Sequence, residues 1–172
     1  MNYRKELEKG QSKTLTTAIV NEVANSQQKM DELMKCFVEG PIRITQYAAW
    51  PMSDIAKKHP QMLLKYYPVF INLLNQKDKP DAINRNILRA LQFVVVPEEY
   101  EGEILDVSFK LLNAAKEPVA VKAFSMNVIY NLTKKYPDII PELKASIEAL
   151  LPNGSSGIKS RGNKILKAIQ QY

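Results

Sequence analysis

The sequence predicts an all-α protein, a right-handed α-solenoid of stacked helix pairs. Three observations carry that expectation. Apolar residues recur at helical spacing. The ten prolines fall mostly between those apolar segments, and glycine occurs only six times. One stretch of the chain also has a counterpart elsewhere. In Pro118–Pro137, residues Val121, Phe124, Ser125, Val128 and Leu132 fall at i, i+3, i+4, i+7 and i+11, one stripe of an amphipathic helix. Pro118 suits a first helical turn, where its missing N–H costs nothing, and Pro137 disfavours helical geometry at Tyr136. A shift of 77 positions places Pro41 on Pro118, Ile44 on Val121, Tyr47 on Phe124, Ile55 on Leu132 and Pro60 on Pro137. A second pair of segments, Asn86–Leu91 and Lys164–Ile169, matches at a shift of 78. That offset is twice ~39 residues, the length of a two-helix repeat. Each pair carries an apolar face too large to leave in water, and stacking neighbours buries it.

Taken in order, residues 3–9 predict a short helix ending at Gly10, a C-cap residue. Ser12 caps a second helix that turns Leu15, Ala18, Ile19 and Val23 inward. Ser26 caps a third with Met30, Leu33, Met34 and Phe37 inward, and Gly40 stops it. Within 41–60, Pro51 stands where Val128 stands in the counterpart, and a proline there is expected to kink or break the helix. Pro68 starts a returning helix carrying Val69, Phe70, Leu73 and Leu74. Asp81 caps a helix from Ala82 to about Val96, which makes Val94–Val96 a buried helix end. Residues 97–102 read as a loop before a helix with Ile104, Val107, Ser108 and Leu111. Pro141 starts a helix through Leu151. Residues 152–157 form a loop, and the last helix begins at Ile158. The expected organisation is one domain over 1–172. Residues 1–40 cap it, 41–78, 79–116 and 117–155 form pairs, and 156–172 form a terminal helix.

Composition narrows the functional classes. Apolar content of 45% and charged content of 24% are those of a globular chain and exclude wholesale disorder. No apolar run approaches the ~18 residues that span a membrane, and the first residues lack the apolar segment of a signal peptide. The expected location is therefore cytoplasmic. The net charge is +6. Its distribution is uneven: Glu98, Glu99, Glu101 and Glu103 crowd together, whereas Lys159, Arg161, Lys164 and Lys167 carry all the charge after Gly154. A basic end of this kind suits nucleic acid or an acidic partner surface, and it also suits a plain solvated helix face.

Catalytic chemistry finds little to use. His59 is the only histidine and Cys36 the only cysteine, so no metal set of those ligands exists and none is expected. His59 precedes Pro60 at a helix end and reads as a surface cap. Cys36 reads as a small buried hydrophobe. No phosphate-binding or dinucleotide glycine pattern occurs, so no cofactor is expected.

Trp50 and Asp54 lie at i, i+4 beside Pro51, with Arg85 and Arg89 on the next helix. This set resembles the helical-repeat DNA alkylation-repair glycosylases. The resemblance implies that Trp50 and Asp54 handle a lesion, with Arg85 or Arg89 on a phosphate. The alternative makes Trp50 a packing residue and Asp54 a solvated one. Residues 154–163 are similar to the flexible loop of adenylosuccinate lyase, in which a serine is catalytic; Ser155 or Ser156 would be its analogue. The Met-Pro that follows the family's serines is missing here, and no Pro follows Asn163, so lyase activity is not expected. Over most of 41–170 the chain resembles short bacterial HEAT-repeat proteins without an assigned activity. The matching residues are Ala48–Trp50, Lys57–Pro60, Glu117–Lys122, Tyr130–Leu132 and Gly154–Arg161. That likeness implies a HEAT-like solenoid and transfers no catalytic residue.

The function expected from sequence is a non-catalytic scaffold for another protein. DNA binding or the processing of alkylated bases is the alternative. The candidate contact patch is Ser155, Ser156, Lys159, Arg161 and Lys164, where a glycine-flanked loop meets a helix N-terminus and could receive an anion. An ordinary loop between repeats reads equally well.

Overall fold

In a computed structural model the chain is described over residues 1–170; positions 171 and 172, the end of the expected terminal helix 156–172, lie outside the described residues. The described residues form α-helices and short 3₁₀ segments, with no strand among them. Their contacts gather into two compact units, Met1–Val95 and Val96 onward. No helix among the described residues is long and apolar enough to cross a membrane.

The first unit contains α1 (Tyr3–Lys9), α2 (Lys13–Val23), α3 (Gln27–Glu39), α4 (Ile42–Lys58), a 3₁₀ segment over Pro60–Tyr66, α5 (Tyr67–Asn75) and α6 (Asp81–Leu91). Its first three starts are capped, the second and third by the serines that the sequence indicates. Asn2 Oδ1 accepts from Lys5 N at 3.1 Å, Ser12 Oγ from Leu15 N at 3.1 Å, and Ser26 Oγ from Lys29 N at 3.3 Å. Each side chain satisfies one N–H that has no partner inside its own helix. Gly10 ends α1 with φ at +136°, a backbone region that disfavours side chains.

The long helix α4 is the hub of this unit and packs against α1, α2, α3 and α6. Val23, Leu33, Phe37, Ala48, Met52, Ile55, Leu63, Phe70 and Ile87 are fully buried around it. Burying one such large side chain contributes roughly 1.5–3 kcal/mol. Pro51 removes one bond from the ladder, as expected, but does not end the helix. The helix runs uninterrupted through a buried Pro51, held by packing on both sides of the one backbone bond the ring removes. On α2 the buried residues are Thr16, Ile19, Val20 and Val23, while Ala18 faces solvent, so the buried face lies one step from the expected one. Val69 is also exposed, unlike Phe70, Leu73 and Leu74 beside it on α5.

After Leu91 the chain leaves the helix rather than continuing to Val96. Val94 and Val96 are buried, but Val95 between them is 91% exposed. The chain turns over 92–94, where Phe93 N and Val94 N still donate to the Ala90 and Leu91 carbonyls, and Val95 and Val96 carry no regular structure. Asp81 is the first residue of α6 and does not cap it; Pro80 holds the cap position.

The second unit contains α7 (Glu98–Asn113), α8 (Val119–Thr133), a 3₁₀ turn over Pro137–Ile139, α9 (Ile140–Leu150) and α10 (Ser156–Ile169). Residues 98–102 are the first turns of α7 rather than a loop. Glu98, Glu99 and Glu101 occupy its first turn, where the helix dipole favours negative charge. Helix α8 packs against α7, α9 and α10. One cluster of this core comprises Leu112, Met126, Ile129, Leu143, Ile147, Ile158 and Ile165.

Because α8 has neighbours on several sides, its buried surface is wide and takes in Ser125, Met126 and Ile129 as well as Val121, Val128 and Leu132. Phe124, expected inside, is only half-buried. The fully buried Ser125 hydroxyl has no hydrogen-bond partner. Leaving such a group unpaired costs about 1–3 kcal/mol, and alanine is nearly isosteric. Ser125→Ala is therefore expected to stabilise the protein by about 1 kcal/mol, measured as a higher midpoint of urea unfolding.

Candidate functional site

One face of the first unit combines exposed aromatic rings with cations. On α4, residues Arg43, Tyr47, Trp50, Asp54 and Lys57 follow i, i+4, i+7, i+11 and i+14. They form a single stripe about 21 Å long, opposite the buried residues. Arg43 stacks on Tyr47 at 5.4 Å and its Nε donates to the Tyr47 hydroxyl at 3.1 Å. Trp50 is 47% exposed, and the Arg89 guanidinium of α6 lies 5.1 Å from its ring centre. Lys57 sits 4.5 Å from the ring centre of Phe93, itself 43% exposed, and 3.8 Å from Asp54. Arg85, half-buried, precedes Arg89 by one turn of α6.

The residues expected to contact nucleic acid are thus partly assembled. Trp50 and Arg89 touch, Arg85 adjoins Arg89 along α6, and Asp54 is held by Lys57. Trp50 is not the packing residue that the alternative made it. Sequence reading did not offer Arg43, Tyr47, Lys57 or Phe93 as contact residues, and it placed Tyr47 on the inward stripe, whereas Tyr47 is only half-buried and lies on the outward one. The first three were available from their spacing with Trp50. Phe93 was hidden by the assumption that α6 continues to Val96.

The second candidate patch is less convergent. Ser155 caps α10, its Oγ accepting from Ile158 N at 3.5 Å, so its oxygen serves its own helix. Ser156 and Lys159 are exposed. Lys159 and Arg161 are two residues apart, about 200° around the helix, and so point to different sides. Arg161 instead reaches α8, where its Nη1 donates to Asn127 Oδ1 at 3.1 Å. Lys164 lies one turn beyond Arg161 on the same side of α10. The shift of 77 maps Trp50 onto Asn127. Each of these residues therefore receives an arginine from a neighbouring helix of its own unit.

The remaining ionisable clusters tie elements together. Asp31 on α3 receives Lys65 at 2.5 Å and the Tyr66 hydroxyl, and these hold its carboxyl below the ordinary value. In the second unit Glu101 accepts from Tyr136 at 2.5 Å and from Lys135 at 2.9 Å, which lowers its carboxyl below the ordinary 4.5. The same contacts raise Lys135. A carboxyl lowered on folding contributes stability that is complete above its unfolded value and is lost as pH falls through the folded one. Glu101→Gln is therefore expected to lower stability at about pH 7 and to flatten its decline below about pH 4.5. Urea titrations of both proteins across that range check this.

No group of acidic, histidine or cysteine side chains able to hold a metal occurs among the described residues. His59 closes α4 through its backbone N–H, which donates to the Ile55 carbonyl at 2.7 Å, and Cys36 is buried.

Comparison with curated proteins finds no match. Among solved structures, a designed armadillo repeat protein in complex with the peptide (KR)4 is similar at 16% identity, with a TM-score of 0.59 over 95% of this chain and 79% of that one. The likeness confirms an all-α solenoid of helical repeats. The profile of the HEAT repeat domain matches residues 3–169, almost the whole chain, and the protein belongs to the HEAT repeat domain family.

Proposed function

We propose that this HEAT-repeat protein is a non-catalytic scaffold that binds another protein through the α4–α6 face of its first unit. The observation that carries the reading is the exposed Trp50 beneath Arg89. A large ring half in water with an arginine against it, on a face that also exposes Phe93, is the composition of a protein-binding hot spot. Repeat stacks offer extended surfaces without a catalytic pocket, and the similar designed repeat protein holds a peptide. Its peptide of lysine and arginine would be repelled by the charge on the present face. Arg161 and Lys164 on α10, with Asn127, supply a corresponding face in the second unit. We assign Ser155 to the helix cap.

A photo-crosslinking residue at position 54, compared with one at position 148 on α9, tests the reading in cells. Protein adducts at 54 alone are expected. Equal labelling at both positions, or adducts of nucleic acid at 54, would sink it. The nucleic-acid alternative draws on the same Trp50, Arg85 and Arg89, and that experiment separates the two.

A further inference from the structure

Building on that reading, we infer that the α4–α6 face takes an acidic peptide segment with apolar side chains interspersed among its carboxylates. The argument begins with charge. Arg43, Lys57, Arg85 and Arg89 stand on this face against two acids: Asp54, which Lys57 already pairs at 3.8 Å, and Asp81, one turn before Arg85 at the start of α6. Arg43, Arg85 and Arg89 make no ion pair among the described residues, although many other charged side chains of this unit do. A guanidinium stacked on a ring keeps its in-plane N–H donors directed outward, in the fork that matches a carboxylate. Arg89 lies 5.1 Å from the ring centre of Trp50, whereas Arg43 already gives its Nε donor to the Tyr47 hydroxyl and has its terminal nitrogens left for a ligand.

The second element is apolar. Trp50 and Phe93 leave 47% and 43% of their surface in water, and each already has its cation. A ligand that reaches the arginines passes over these rings and gains by covering them with aliphatic groups. Single-stranded nucleic acid also combines planar and anionic groups. Its phosphates, however, repeat at every nucleotide and favour an unbroken positive track. Asp54 interrupts that track between Trp50 and Lys57, whereas a peptide can place an uncharged residue opposite it.

Trp50 is the only tryptophan, so its emission reports directly on this face. The experiment titrates the full chain with three short peptides, alternating leucine with glutamate, glutamine or lysine, and separately with oligo(dT). The glutamate peptide is expected to shift Trp50 emission to the blue with a Kd that weakens as salt rises. In Arg85→Glu/Arg89→Glu, binding should weaken by at least about tenfold while the helical circular dichroism is unchanged. Both arginines are half-buried and neither belongs to the buried core, so the unchanged circular dichroism is the check that the variant folds; labelled-peptide anisotropy with Trp50→Phe gives a second readout. Equal affinity for the glutamine peptide, or preference for the lysine peptide, would overturn the acidic ligand and leave the peptide-binding scaffold standing. Preference for oligo(dT) would overturn both in favour of nucleic acid. Silence with all four overturns the acidic segment, and the crosslinking at position 54 then decides the scaffold on its own.

Discussion

Phe37→Ala is expected to lower stability by about 3–5 kcal/mol, the cost of deleting a fully enclosed phenylalanine. Phe37 is 0% exposed in α3 and faces the hub helix α4, with Leu33, Met34 and Ile44 also buried nearby in these two helices. The loss combines the transfer of the ring to water with the cavity left behind. A helix pair held from several sides cannot close that cavity. Phe124→Ala is the matched comparison. Since Phe124 is only half-buried on α8, its loss should be less than about half as large. Urea unfolding of the two variants, each against the parent, provides the measurement. Equal losses would mean that α8 is rotated from the orientation described.

Gly162→Ala should destabilise by about 1–3 kcal/mol, although alanine is the better helix former. A Cβ at position 162 would lie 2.8 Å from Ile147 Cγ2 and 3.1 Å from Leu151 Cδ2, so the approach of α9 to α10 depends on the missing methyl. Alanine's advantage in helix propensity, about 1 kcal/mol, offsets only part of that cost. Gly102, in the first half of α7, provides the control. A Cβ there meets nothing within 4 Å, so Gly102→Ala should stabilise by up to about 1 kcal/mol. The same substitution thus has opposite signs at two helical glycines. Thermal unfolding of the pair reads both.

Much of this architecture was legible in the residues. Ser12, Ser26, Gly10 and Gly40 mark helix ends through local chemistry, and they mark them correctly because a cap needs only its own first or last turn. The two matching stretches placed α4 and α8, the hubs of the two units. What local pattern could not supply was orientation. Phe124 satisfies the helical period as well as Val128 does, but the period does not say how many neighbours α8 has. Three neighbouring helices widened its buried surface towards Met126 and Ile129. At Pro51 the sequence shows the lost backbone bond, but not that the helix continues to Lys58 beyond it, where Met52, Ile55 and Ala56 are buried. The candidate face was half visible. Trp50, Arg85 and Arg89 were chosen for their chemistry. The Arg43–Lys57 stripe was missed because only the inward residues of α4 were traced, with Tyr47 counted among them. Arg161 was chosen for an anion site and is instead bonded to Asn127.

The prolines act in a second way, on the chain before it folds. Pro41, Pro80, Pro97 and Pro118 hold the cap positions of α4, α6, α7 and α8, while Pro68 and Pro141 lie in the first turns of α5 and α9. At a compatible site a proline stabilises by about 0.4–1 kcal/mol, chiefly because the unfolded chain has fewer conformations to lose. None of that gain is visible as a contact. Six helix starts are thus biased beforehand by restricted φ, and the disordered ensemble is narrowed just ahead of each of these turns.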